Sequence, residues 1–323
     1  MHNGCAMDIK NLSKDLNIEL TTYIPDSRPH EDYIINDQKA DLIWERHKDS
    51  FLSNDILLFS DTMPMSWCVL KNLNKLPSTT KIILWITNRF NYAIENSKDY
   101  YNLINQTKHS NNVYFLFANK FEKLYLSKFC DIDGIKSFDF LPYGKRTIQD
   151  YNCLAIQNQK NIPYLMNYEN ETKFFNLKQI LDEKKINHYF KTQRSNENQY
   201  CGPFEIINCS CIIHIPYSWS TIAYSEYISL GKSFVLPSVS WLSEHISGLW
   251  FQTSKNIDLI SNYSLWYDKN AESGFNYFDN IDHIIDILKN KTLLQEKGNI
   301  CLTYANKIHN DNLEIFKKIM ETK

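Results

Sequence analysis

Short apolar runs rich in β-branched and aromatic residues alternate along this chain with segments whose apolar residues recur at helical spacing. In the first half the runs are IELTTYIP (18–25), DILLFSD (55–61), KIILWITN (81–88), NVYFLFAN (112–119) and SFDFLPYG (137–144). Helical spacing between them predicts helices over 66–73, 98–108 and 120–129. A strand that is apolar at every position has both faces covered, and strands joined through helices lie parallel. The pattern therefore predicts a parallel sheet with helices on both sides.

The second half repeats the scheme with NIPYLMNY (161–168), INHYFKT (186–192), CIIHIPY (211–217) and SFVLPS (233–238), and predicts helices over 173–185, 203–208, 221–230 and 241–246. Beyond Asp279 only helical spacing remains: Ile281, Ile284, Ile285 and Leu288, then Ile315, Phe316 and Ile319. Two Rossmann-like parallel-sheet domains, 1–150 and 151–323, with a C-terminal helical tail are the expected architecture. The boundary is placed within 144–160, where Pro142-Tyr-Gly144 closes the fifth run and a polar stretch follows.

A chain of 323 residues can bury a full core in each of two domains without disulfide support. Its 35 Lys+Arg against 37 Asp+Glu recommend no basic face, so no nucleic-acid partner is expected. The eight cysteines lack the dense spacing of a secreted scaffold, which points to a reducing compartment. The start, MHNGCAMDIKNLSKDLNIEL, has no continuous apolar stretch of the signal-peptide kind, and no window reaches the roughly 18 apolar residues of a membrane span, so a cytoplasmic protein is expected. The Asn-x-Ser/Thr sequons at Asn105, Asn170, Asn208 and Asn262 are those that an Asn-rich chain produces by chance. The Asn, Lys, Ile and Tyr bias is that of an AT-rich genome, viral or microbial.

Ligands of open α/β sheets bind beyond the carboxyl ends of the strands, where helix starts offer unpaired N–H groups. The predicted strand ends carry Asp26 and His30, Asp61, Asn88 and Arg89, Asn119 and Glu122, and Tyr143 and Gly144 in the first half, and Tyr168, Arg194 and the stretches 217–221 and 237–240 in the second. Two such sets facing each other would make an interdomain cleft, lined from the first domain by Asn88, Arg89, Tyr143 and Gly144. Arg89 either meets a phosphate or acidic acceptor there or serves as a structural ion-pair partner. Tyr217, Trp219 and Trp241 lie where they would stack on a base or a sugar ring.

Other motifs carry less. Strand alternation sends Cys209 and Cys211 to one face and His214 to the other, and no second ligand pair follows, so no metal site is expected. No G-x-G-x-x-G or Walker sequence is present. Asp131-x-Asp133 before Gly134 reads as a turn.

The run from His214 to Ser238, HIPYSWSTIAYSEYISLGKSFVLPS, is the most patterned. Pro216 ends a strand, Ser218-Trp-Ser-Thr221 supplies caps, and Gly231 suits a left-handed helix stop. Such a helix start is a natural seat for a diphosphate. Glu226, in the second turn, either accepts two ribose hydroxyls or is an ordinary solvated helix residue.

This segment resembles the nucleotide-sugar-binding part of GT-B glycosyltransferases: strand, short loop, helix with a glutamate, glycine, apolar strand. Tyr200-Cys-Gly-Pro-Phe204 resembles the glycine-bearing segment that precedes it, and WYDKNAESGFNYFDNIDHIIDIL onward is similar to the fold's helical ending. The resemblance covers residues 160–323; the first half shares only its βα order. It implies a donor domain in which Glu226 holds the ribose, Tyr217, Ser218, Ser220 and Thr221 border the diphosphate with Gly202, and Arg194 supplies a cation. It implies a first domain that binds the acceptor.

Retaining members with a Glu-x7-Glu signature carry a first glutamate where this chain has Ser218, a departure from that mechanism. An inverting reaction needs a base from the first domain, and Asp61, then His30 and Asp26, sit at suitable strand ends. The expected activity is metal-independent transfer of a sugar from a UDP- or GDP-linked donor to a hydroxyl on a glycan or glycoconjugate, with no further cofactor. A catalytically silent sugar- or nucleotide-binding protein and a sugar-nucleotide epimerase are the alternatives.

Overall fold

The computed structural model describes residues 3–21, 34–94, 97–147, 161–166, 170–190 and 202–322. The chain divides into two compact units, Met1–Pro142 with Asp311–Lys323, and Tyr143–Asn310.

The first unit begins with α1 (Asn3–Leu16) and α2 (Asp37–Ser53), both additional to the helices that spacing predicts. The reason is local. The buried stripe of α1, Cys5, Ile9 and Leu12, is interleaved with buried Asp8 and Asn11, and α2 buries only Ala40 and Trp44, so neither shows a clean apolar period. Asn36 caps α2, its side chain accepting from the Lys39 N–H.

The sheet follows in the order β1 (Ile56–Ser60), β2 (Lys81–Ile86), β3 (Val113–Phe117) and β4 (Lys136–Asp139), all parallel, with Leu57 opposite Ile82 and Ile83 opposite Tyr114. The crossovers contain α3 (Trp67–Leu70), α4 (Ser97–Thr107) and α5 (Lys120–Ser127). Every residue of β2 and β3 is buried, as their unbroken apolar runs require. The expected helix 66–73 shortens to α3, because a 3-10 turn with Pro64 precedes it. Of the strand expected over 18–25, residues 18–21 are not strand and the rest lie outside the described residues.

The second unit contains β5 (Tyr164–Leu165), α6 (Leu177–Glu183), β6 (Tyr189–Phe190), β7 (Ile212–Ile213), α7 (Ile222–Ser229), β8 (Phe234–Pro237), α8 (Val239–His245), α9 (Ile257–Tyr263), β9 (Asn276–Phe278), α10 (Ile281–Lys289) and the larger part of α11 (Lys291–Glu321), whose residues from Asp311 on are counted with the first unit. Its parallel sheet runs β6-β5-β7-β8-β9. The chain leaves β5 towards one side as β6 and returns on the other side as β7, so the strand order reverses between β5 and β7. That is where an open α/β sheet leaves a crevice for a ligand. The strands β5 and β7 are short, but backbone bonds continue past them, from the Met166 N–H to the Ile213 carbonyl at 3.0 Å and from the His214 N–H to the Val235 carbonyl at 3.1 Å. The strand β9 and helix α9 are further additions to the expected elements.

Helix α7 stops as its glycine predicts. Gly231 takes φ +67°, and the Gly231 and Lys232 N–H groups close on the Ile228 and Tyr227 carbonyls at 3.0 Å each. Gly298 on α11 crosses this stop so closely that a Cβ there would overlap the Gly231 carbonyl. The six described cysteines are all buried thiols. No helix among the described residues is long and apolar enough to cross a membrane.

Candidate functional site

The loop that enters α7 leaves the carboxyl end of β7, at the switch point where a ligand crevice is expected. Thr221 is the N-cap, its hydroxyl accepting from the Tyr224 N–H at 3.1 Å. The loop before it is rigid: the Ser218 hydroxyl donates to the Ser220 carbonyl at 2.9 Å, and the Trp266 indole donates to the Ser218 carbonyl at 2.7 Å. Residues 220–223 are nevertheless only half-buried, so the start of the helix faces an accessible surface. Gly202, at φ +119°, opens a short 3-10 turn, Pro203–Ile206.

Glu226 lies in the second turn of α7 and is not a solvated helix residue. Its side chain is 8% exposed, and its Oε1 accepts from both Nε and Nη2 of Arg146 at 2.9 Å. Side chains of a helix lean towards its N-terminus, so this carboxylate points along the helix towards the half-buried start. Arg146 lies in a strap, residues 143–147, laid on α7. Gly144, at φ +65°, approaches so closely that a Cβ would overlap the Ser225 backbone. The buried Tyr143 ring packs 4.9 Å from His309, whose Nε2 is 3.3 Å from the Ser229 hydroxyl. Tyr143 and Gly144, expected to line a cleft, thus have structural places against His309 and α7. Sequence reasoning missed Arg146, because nothing in the polar stretch after Gly144 links it to a glutamate 80 residues later.

A second set of contacts lies beyond β5 and β7. The fully buried Asn170 side chain donates to the Pro216 and Trp250 carbonyls at 2.9 Å and accepts from the Trp250 N–H at 2.8 Å. This clamp holds Trp250, 42% exposed, with its ring stacked 5.8 Å from that of half-buried Tyr217. Glu171 Oε1 accepts from the Ile215 N–H at 2.9 Å and pairs with His214 Nδ1, both side chains being fully buried. His214 is therefore an interior residue, as strand alternation suggested. Trp219 and Trp241, expected to stack on a ligand, belong to the core: they are 0% and 4% exposed, Trp219 edge-on to Phe251 and Trp241 stacked on His245. The exposed aromatic of this set is Trp250, on a loop that carries no strand or helix signal.

In the first unit Asp61 follows β1 in a left-handed conformation, φ +69°, which few residues other than glycine adopt without strain. Its N–H donates to the Thr87 hydroxyl at 3.1 Å, and the Cys5 thiol lies 3.5 Å from the same hydroxyl. Burial, with the Asp61 and Asp8 carboxylates nearby, pushes that thiol up to about 12, which leaves Cys5 unreactive. Asn88 is occupied locally, its side chain accepting from the Arg89 N–H at 2.8 Å. Arg89 takes the structural one of its two expected roles. It pairs with buried Glu122 and lies over the rings of Phe121 and Tyr125, at 5.0 and 5.6 Å. Burial lowers its pKa to about 10, so it stays cationic at neutral pH.

Asp26, His30, Tyr168 and Arg194 lie outside the described residues. Asp131 and Asp133 form the expected turn, the Asp133 N–H donating to Asp131 Oδ1 at 3.1 Å. Among the described residues no three His, Cys, Asp or Glu side chains are placed to hold a metal ion.

No protein-family profile matches the chain, and no curated protein matches it in sequence. Its structure is similar to an alpha-glucosyltransferase solved in complex with UDP and a 13-mer DNA containing an HMU base: TM-score 0.54, 10% identity, 98% of this chain and 95% of that one covered. The glycotransferase of kitacinnamycin matches at TM-score 0.47 and 8% identity, over 97% of this chain and 89% of that one. A Streptomyces glycosyltransferase matches at 0.40 and 11%, over 96% and 83%. The first likeness shows the fold: two parallel-sheet α/β units ending in helices, the GT-B architecture.

Proposed function

We propose that this chain is a glycosyltransferase that moves a sugar from a nucleotide-diphosphate donor to a hydroxyl acceptor on a glycan or glycoconjugate. The observation that carries the reading is the start of α7: a capped, accessible helix terminus at the switch point of the sheet, with a buried, arginine-paired carboxylate in the next turn. The N–H groups and positive end of the helix stabilise the departing diphosphate, with Arg194 as the basic residue assigned to it. Ser218, Ser220, Thr221 and Gly202 border the diphosphate, Tyr217 flanks the base or sugar, and Glu226 accepts the ribose hydroxyls.

The acceptor oxygen bonds to the anomeric carbon as the bond from that carbon to the diphosphate oxygen breaks, and the hydroxyl proton passes to a base. Asp61 is assigned this role, with His30 and Asp26 next. Ser218 in place of a first glutamate favours inversion. A helix terminus and a cation suffice to meet the diphosphate charge, so the reaction is read as metal-independent. The UDP bound to the structurally similar alpha-glucosyltransferase supports UDP as the first donor to try, and its modified DNA is included among the acceptors tested.

The test is a thermal-shift panel of UDP, GDP and their sugar conjugates, followed by transfer assays with and without EDTA. A selective rise in Tm with the parent that Glu226→Gln loses is the expected result. Equal shifts in parent and variant would remove the donor site from α7. Binding with no turnover on any acceptor would make the chain a binding protein, and an altered donor sugar with no transfer would make it an epimerase.

A further inference from the structure

We propose that Arg146 is a positioning residue for the donor ribose: it holds Glu226 in one rotamer, so that the carboxylate is set to accept the ribose diol before the nucleotide arrives. The inference rests on the donor-site reading of Glu226. Arg146 does not itself reach the ligand, since its side chain is 1% exposed, against 8% for that of Glu226. Its fork closes on Oε1 through Nε and Nη2, while Nη1 donates to the Lys145 carbonyl at 3.1 Å.

Two physical effects follow. The pairing fixes the carboxylate's rotamer, because Nε and Nη2 approach Oε1 together. The pair is also neutral as a whole, so Glu226 does not oppose the diphosphate that the same helix start attracts. The strap is registered along α7 at successive points, Gly144 against Ser225, Arg146 on Glu226, and Tyr143 through His309 near Ser229, which fixes the guanidinium without ligand contact. Holding a binding group in place beforehand spares the ligand the cost of ordering it.

The experiment is calorimetric titration of the full chain with UDP and GDP and with the 2′,3′-dideoxy form of each. A purely structural ion pair would weaken ribo and dideoxy forms alike, whereas a positioning residue acts on the difference between them. The parent is expected to prefer the ribo form by about tenfold or more, the weight of a hydrogen bond to a charged group. Glu226→Gln and Arg146→Gln should each erase most of that preference, and the double variant should lose no more than either. Arg146→Lys, which keeps the cation but not the planar fork, should retain part of it, and it serves as the readout if Arg146→Gln does not fold. If the preference persists in the Arg146 variants but falls in Glu226→Gln, positioning by Arg146 is refuted while the donor site stands. If the parent shows no preference, or Glu226→Gln keeps it, the donor-site reading fails and the inference falls with it.

Discussion

Each unit has an arginine closed on a glutamate near the start of a helix, and the two pairs have opposite surroundings. In the first unit Glu122 is the third residue of α5, where its N–H bonds to the Asn119 cap, and Arg89 is covered by Phe121 and Tyr125. In the second, Glu226 is the fifth residue of α7, two positions further in, and the helix start before it is half-buried. Burial of an ion pair therefore does not distinguish architecture from function; what lies beyond the carboxylate does. Aromatic cover marks the first pair as a fastening, whereas the second lies near the accessible helix terminus on which the proposed donor site rests.

The comparison can be broken experimentally. Glu122→Ala should cost about 3–5 kcal/mol in urea unfolding, because it leaves Arg89 buried without its partner. Nucleotide affinity of the folded protein should stay at the parental value, and its loss would erase the distinction between the two pairs. Gly144→Ala should cost about 1–3 kcal/mol by overpacking the strap against Ser225, and should weaken nucleotide binding as Arg146 is displaced. Thr221→Ala should cost about 1 kcal/mol through loss of the cap, and should weaken nucleotide binding if the same helix start meets the diphosphate, as proposed. Trp250→Ala should stay within about 0.5 kcal/mol of the parent in stability. If its ring stacks on the bound donor, titration with UDP should lose about 1–3 kcal/mol.

How much of this was legible in the chain depended on how local the cause was. Strands β2 and β3 announce themselves because burial on both faces demands apolar residues at every position. Helix α7, with Thr221 before it and Gly231 after it, is legible because caps and stops are properties of neighbouring residues. The helix α1 is concealed by Asp8 and Asn11, whose burial depends on what packs over them. Glu226 was legible as a candidate for the same local reason, but its partner was not: pairing across 80 residues leaves no periodicity to read. Trp219 and Trp250 show the converse, since position at a strand end did not tell which indole the fold would bury.

The close crossings in the middle of α7 and at its stop also have a genetic consequence. Gly144 sits on the Ser225 backbone and Gly298 on the Gly231 carbonyl, so main chain meets main chain with no side chain between to yield. Of the chain's eight glycines, three that are far apart in sequence therefore share one structural duty around a single short helix. In a saturation-mutagenesis screen positions 144 and 298 should appear as glycine-only columns, while position 231, restricted by its φ of +67° alone, should also admit asparagine. Pairs of substitutions among them should prove less harmful than the sum of their separate effects, because the first already releases the helix that the second would have disturbed.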